Sequence, residues 1–192
     1  MTTNKKLQQK QQQYVNQLKA EKNPYQIAAG GAFIDSMKSV GYKHDGSKSA
    51  ELCDNMIEAG ASKMVIDISG IKGGKVSQLV FADDGIGMPE EIIPAAMTWG
   101  GSDRLNSADL FGRFGFGLPS AANSLGDEYS VISKQEGGDF HAVTFSLLKA
   151  KKGDYTDKNG TLCMPKAQKY KLTSELKALL EQHYDNFVSG TI

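Results

Sequence analysis

The sequence of 192 residues is poor in the residue types that build cross-linked or metal-held domains: it has two cysteines, three histidines and one tryptophan. Cys53 and Cys163 form no CxxC pair and no dense cluster with His44, His141 or His183, which argues against a structural zinc site and leaves both cysteines as free thiols. Neither sign of charge is in excess, with 22 Lys plus Arg against 22 Asp plus Glu. Attraction of the whole domain to nucleic acid or anionic lipid is therefore not indicated, which leaves a local patch as the only electrostatic route to either. No apolar run approaches the ~18–20 residues that span a bilayer, and the N-terminus lacks a signal peptide's apolar core. The expectation is a soluble, cytoplasmic protein. Hydrophobic residues at 40% and charged residues at 23% fit one compact domain with a sizeable core.

Along the chain, Lys5 to Lys22 is rich in Gln and Lys and reads as a solvated N-terminal extension, a polar helix or a mobile strap. The spacing predicts helices from Pro24 to Gly41 and from Ser47 to Ala59, the second stopped by Gly60. Strands are expected at Lys63–Ser69 and Gln78–Ala82 around a Gly73–Gly74 turn, then a short helix opened by Pro89. Thr98 to Arg113 is a long polar, glycine-rich loop of the kind that is functional or mobile. A helix at Gly115–Leu125 follows. Further strands are expected at Glu128–Lys134, Phe140–Leu147, Thr161–Met164 and from Phe187, with a helix at Thr173–Tyr184. The alternation predicts an α/β protein, a two-layer sandwich with helices on one face of a mostly antiparallel mixed sheet. The chain stops within an apparent strand, which reads as the N-terminal fragment of a longer protein.

Three segments carry chemistry. In Glu51-Leu-Cys-Asp-Asn55-Met-Ile-Glu58, helical spacing puts Glu51, Asn55 and Glu58 on one face, where a carboxylate and a carboxamide can serve as water-activating base and cation ligand. A solvated helix face has the same pattern. Asp83-Asp84-Gly85-Ile86-Gly87-Met88 follows a strand directly. A carboxylate there can accept from adenine's exocyclic amine and would oppose guanine's carbonyl; a tight hairpin turn is the alternative. Gly112-Arg113-Phe114-Gly115-Phe116-Gly117-Leu118 precedes a helix and can offer backbone N–H groups to phosphate. It has neither the Gly-Lys-Ser/Thr of a Walker A loop nor the Rossmann glycine spacing. Trp99 reads as a packing anchor, and Arg104 and Arg113 as either phosphate-reaching or solvent-facing.

In this order the segments resemble the GHKL ATPases, the superfamily of DNA gyrase B, the 90-kDa heat-shock chaperone, histidine kinases and MutL. Glu51 to Asn55 is similar to their N box, Asp83-x-Gly85-x-Gly87 to the first glycine box and Gly112 to Gly117 to the second. Gly190-Thr191 is similar to the Gly-Thr of the last nucleotide-contacting strand. The context of Phe114 and Leu118 looks closest to MORC and MutL.

The resemblance implies a Bergerat ATP-binding domain over residues 26–192, with residues 1–25 as an extension or strap. It implies that Asp83 holds the adenine amine, with Thr191 assisting through a water, and that Gly85, Gly87, Met88, Phe116 and Leu118 belong to the nucleotide site. It further implies that Asn55 ligates Mg²⁺, that Gly112, Gly115 and Gly117 meet the phosphates and that Thr98 to Phe111 is a lid. Glu51 as the base implies an ATPase, slow in this fragment, whose nucleotide state controls lid closure and homodimerisation. Glu58 departs from the aspartate of many relatives. The alternatives are a phosphotransfer domain of the histidine-kinase type, which usually lacks the glutamate, and a module that binds ATP without hydrolysing it.

Overall fold

A computed structural model describes residues 3–20, 45–71, 73–99 and 117–192. Helix α1 (Thr3–Ala20) precedes α2 (Asp45–Glu58). Gly60, at φ 73°, ends α2 as its N–H bonds Ile57 O and the Ala61 N–H bonds Met56 O, satisfying the last carbonyls. Strands β1 (Met64–Ser69) and β2 (Gln78–Asp83) form a hairpin over the full register from Met64↔Asp83 to Ser69↔Gln78, turned through Gly73 and Gly74 at positive φ. Then come α3 (Ile92–Ala96), α4 (Gly117–Leu125), β3 (Glu128–Lys134), β4 (His141–Ser146), α5 (Leu147–Lys152) and β5 (Gln168–Lys169). Helix α6 (Ser174–His183), capped by Thr173 accepting from Leu176 N, and β6 (Gly190–Thr191) complete the described chain.

The six strands lie in the order β1-β2-β6-β3-β4-β5, and each pairing is antiparallel. The chain's last strand is thus inserted at the centre, between two hairpins. It has two residues, yet Ile132 and Ile192 extend the pairing with reciprocal bonds of 2.8 Å. Strand alternation separates two cores. On one face Val131, Val143 and Phe145 meet Ile93, Met97 and Trp99, whose indole stands edge-on to Phe145 at 5.7 Å. This is the anchor expected of Trp99. On the other face Val80, Ile132 and Ala142 meet Leu176, while Val65 and Ala82 meet Leu180 and Tyr184. The α/β sandwich is present as expected, but its second face is not bare: α6 covers it.

Four readings change. Lys5 to Lys22 is not simply a solvated extension, because α1 buries Tyr14, Val15 and Leu18 against Ile92 and Ala95 and joins Lys19 to Glu91 at 2.8 Å. Each such buried side chain contributes about 1.5–3 kcal/mol before ordering costs. Thr161–Met164 is no strand; Leu162 makes an isolated bridge to Thr156. Helix α5 and strand β5 are additions to the expected elements: Leu147, the expected end of a strand, begins the helix. The predicted helix at Pro24–Gly41 and most of the Thr98–Arg113 loop lie outside the described residues. Both cysteines are free. Among the described residues no helix is long and apolar enough to cross a membrane.

Candidate functional site

β2 ends on a corner where two neighbouring aspartates have opposite fates. Asp83 faces the same side as Thr191 and Ser133, since Asp83 and Ser133 both pair with Thr191 in the sheet. It is 4% exposed and accepts from Gly85 N at 2.8 Å. Burial pushes its carboxyl up to about 6, against hydrogen bonds from the Gly85 and Thr191 backbone. Asp84 turns toward the start of β1, where it accepts from Ser62 N and Lys63 N at 2.7 Å and from Ser62 Oγ at 2.6 Å. Partial burial acts to raise its carboxyl, but those hydrogen bonds outweigh it and hold the group below the usual range.

Glycine is required here by close approach. A Cβ on Gly87, at φ 65°, would lie 1.8 Å from Lys134 O, and one on Gly190 would lie 2.0 Å from Asp83 O. A Cβ on Gly85 would crowd Ala59 and the Asp83 carboxylate at 2.8 Å. Three polar side chains that the sequence did not mark hold the corner from around it. Ser133, fully buried, accepts from Met88 N and donates to Gly190 O, both at 2.9 Å, and lies 2.9 Å from Thr191 Oγ1. Tyr184 Oη donates to Ala82 O at 2.9 Å from the α6 side, and Ser189 Oγ donates to Gly85 O at 2.8 Å. Serine and tyrosine are too common for their positions to signal such roles without the register of the sheet.

The other part of the site is built by helix packing. α2 lies against α4, and a Cβ on Gly117, the first residue of α4, would fall 1.8 Å from Glu51 Oε1. The Glu51 carboxylate therefore sits directly on the start of the helix that follows the second glycine-rich segment. Burial raises its pKa, and the nearby Asp54 and Glu58 raise it further. One turn along α2, the Asn55 amide nitrogen is buried with no partner. That nitrogen is a donor, so an acceptor such as a phosphate or water oxygen would complete it, while the amide oxygen is the atom that can meet a cation. Among the described residues no group of three or more His, Cys, Asp or Glu could hold a metal ion. A single carboxamide suits a hard cation that keeps its waters and takes other oxygens from phosphates.

Asn55, Asp83, Gly87, Met88, Leu118 and Thr191 line one continuous cleft. Glu51 is not among its lining residues and is tied to it through Gly117 and its own helix. Met88 and Leu118 also pack onto the Trp99–Phe145 core. Gly112, Gly115 and Phe116, like Arg104 and Arg113, lie outside the described residues.

A family model for histidine kinase-, DNA gyrase B-, and HSP90-like ATPases matches residues 48–178. The chain is 36% identical over 106 residues to the ATPase morc-1 of Caenorhabditis elegans, a match covering 54% of this chain and 12% of that protein. It is 34% identical over 91 residues to the MORC family CW-type zinc finger protein 1 of Homo sapiens, covering 45% of this chain and 9% of that protein. The chain thus matches only a small part of the length of either relative.

Proposed function

Because the chain belongs to the histidine kinase-, DNA gyrase B- and HSP90-like ATPase family, we propose that it binds ATP with Mg²⁺ and hydrolyses it. Asp83 accepts a hydrogen bond from the adenine amine, with Thr191 beside it acting through a water. Gly85 and Gly87 let the base approach the backbone, and Met88 and Leu118 give it apolar surface. The backbone of Gly112, Gly115 and Gly117 donates to the phosphates, aided by the α4 N-terminus, and Phe116 belongs to the same nucleotide site. Asn55 holds Mg²⁺, which when bound neutralises phosphate charge.

Glu51 takes a proton from a water whose oxygen attacks the γ-phosphorus, and ADP departs. Its raised pKa makes it a stronger base than an exposed glutamate. The observation that carries this reading is the contact between the Glu51 carboxylate and Gly117, which joins the base to the phosphate-binding segment. The relative named an ATPase supports the same chemistry. Lid closure over the nucleotide and nucleotide-dependent pairing of two chains belong to this reading. Sizing with and without a non-hydrolysable analogue tests the pairing.

The deciding experiment compares turnover and binding in Glu51→Gln. Turnover falls by about a hundredfold or more, while affinity for Mg²⁺-ATP stays within a few fold of wild type. A variant that hydrolyses ATP as fast as wild type would remove Glu51 from the mechanism.

A further inference from the structure

Among the described residues, the buried stripe of α1 contains one amide side chain, Gln11. Gln11 is 4% exposed, as deeply buried as Tyr14 one turn later. A buried carboxamide needs partners at both ends, and Gln11 has them. Its Nε2 donates to the Gly87 carbonyl at 3.2 Å, and its Oε1 accepts from Gln135 Nε2 at 2.9 Å. Since a carbonyl can only accept, the Gly87 contact fixes which way the amide points.

The carbonyl of Gly87 and the N–H of Met88 belong to one peptide group. Its N–H is held by Ser133 from β3 and its C=O by Gln11 from α1. Gly87 Cα meanwhile lies flat against Lys134 O at the end of β3, and Gln135 is the next residue. The plane of this peptide is thereby set from two elements far apart in the chain. An apolar residue would suffice to dock α1, so the buried amide has a more particular role.

We infer that Gln11 is a positioning residue for the nucleotide site. The N-terminal helix orients the Gly87–Met88 peptide and, through it, the loop that frames Asp83. Gln11 also lines the cleft, but both ends of its amide are engaged by protein, so it acts on nucleotide through Gly87. This rests on the nucleotide reading above.

The test is titration of a non-hydrolysable ATP analogue with Mg²⁺ into the full chain, as wild type, Gln11→Ala, Gln11→Glu and Gln12→Ala. Gln12 is exposed on the same helix and serves as the control. Loss of one neutral hydrogen bond to the loop weakens binding by Gln11→Ala about three- to tenfold, with Gln12→Ala unchanged. A glutamate at this position can donate to Gly87 O only when protonated. The affinity of Gln11→Glu relative to wild type therefore recovers as pH falls, and taking the ratio cancels the titration of Asp83. Equal affinity of wild type and Gln11→Ala overturns the inference, as does a Gln11→Glu deficit that is flat in pH. Wild type that binds no nucleotide overturns the functional reading itself, and this inference with it.

Discussion

Asp83 stands at the end of a central strand, 4% exposed, with backbone N–H groups on its oxygens and glycines where its neighbours touch. Glu51 stands half-buried on a helix face, placed by the packing of α2 on α4 and by the missing side chain of Gly117. Both carboxyls are raised mainly by burial, yet the raised pKa has opposite value in the two places. On the proposed reading Glu51, as a base, gains from it, whereas Asp83, as a hydrogen-bond acceptor for adenine, loses function once protonated. On that reading the two carboxyls are separable: substitutions at the Asp83 corner act on affinity, and those at Glu51 and its seat on Gly117 act mainly on turnover.

The sharpest way to break that division is Gly117→Ala. Alanine at a helix start ordinarily stabilises by up to about 1 kcal/mol, but here its Cβ would fall on the Glu51 carboxylate. The expected outcome is a loss of about ten- to a hundredfold in turnover with nucleotide affinity changed far less. Steady-state kinetics beside a binding titration reads both, and an affinity loss as large as the turnover loss would merge the two regions.

A smaller effect comes from pH. Lowering it from about 7.5 to about 5.5 protonates most of Asp83 and weakens nucleotide binding about fourfold for a carboxyl near 6. The linkage to folding has the opposite sign. The folded state binds this proton more tightly than the unfolded chain, so the group's contribution to stability is present below about pH 4 and is lost as pH rises through about 6. On the proposed reading, nucleotide therefore binds best where Asp83 contributes least to stability.

Asp84 gives the smallest effect and the reverse trend. Its lowered pKa stabilises the fold above the ordinary carboxylate value and ceases to do so as pH falls below it. Asp84→Ala costs about 1 kcal/mol in thermal or denaturant unfolding, mostly above about pH 5, and disturbs affinity only through the seat of β1. Unchanged unfolding at neutral pH would show that the Ser62 and Lys63 contacts carry little.

The residues of the candidate site were legible in the sequence, and the side chains that support them were not. Glu51, Asn55, Asp83 and the glycines stood out because rare combinations at fixed spacing mark them. Helix α2 and strands β1 to β3 were legible from periodicity and from Gly60, Gly73 and Gly74. Ser133, Tyr184 and Ser189 were not, since their partners come from other strands and helices and depend on register. Helix α1 is the polar helix among the alternatives for Lys5 to Lys22, and its burial is hidden in the sequence because the buried stripe is thin and includes a glutamine, which composition counts as polar although Gly87 and Gln135 satisfy it. Helix α6 was found, but not the face it covers, because Ile132 and its neighbour Val131 are equally apolar and only the sheet assigns them to opposite sides.

The measurement that bears most directly on the central claim is made on Asp83→Asn, reading calorimetric titration with an ATP analogue and Mg²⁺ beside thermal melting of the unliganded chain at neutral pH. Wild type is expected to bind and the variant's affinity to fall by about a hundredfold, since a carboxamide cannot match the carboxylate toward the adenine amine. The unliganded variant is also expected to melt higher than wild type, because a buried charge has been removed while an acceptor for Gly85 N remains. Unchanged affinity, or a variant that both binds poorly and melts lower, would contradict the assignment of this buried carboxylate to nucleotide recognition.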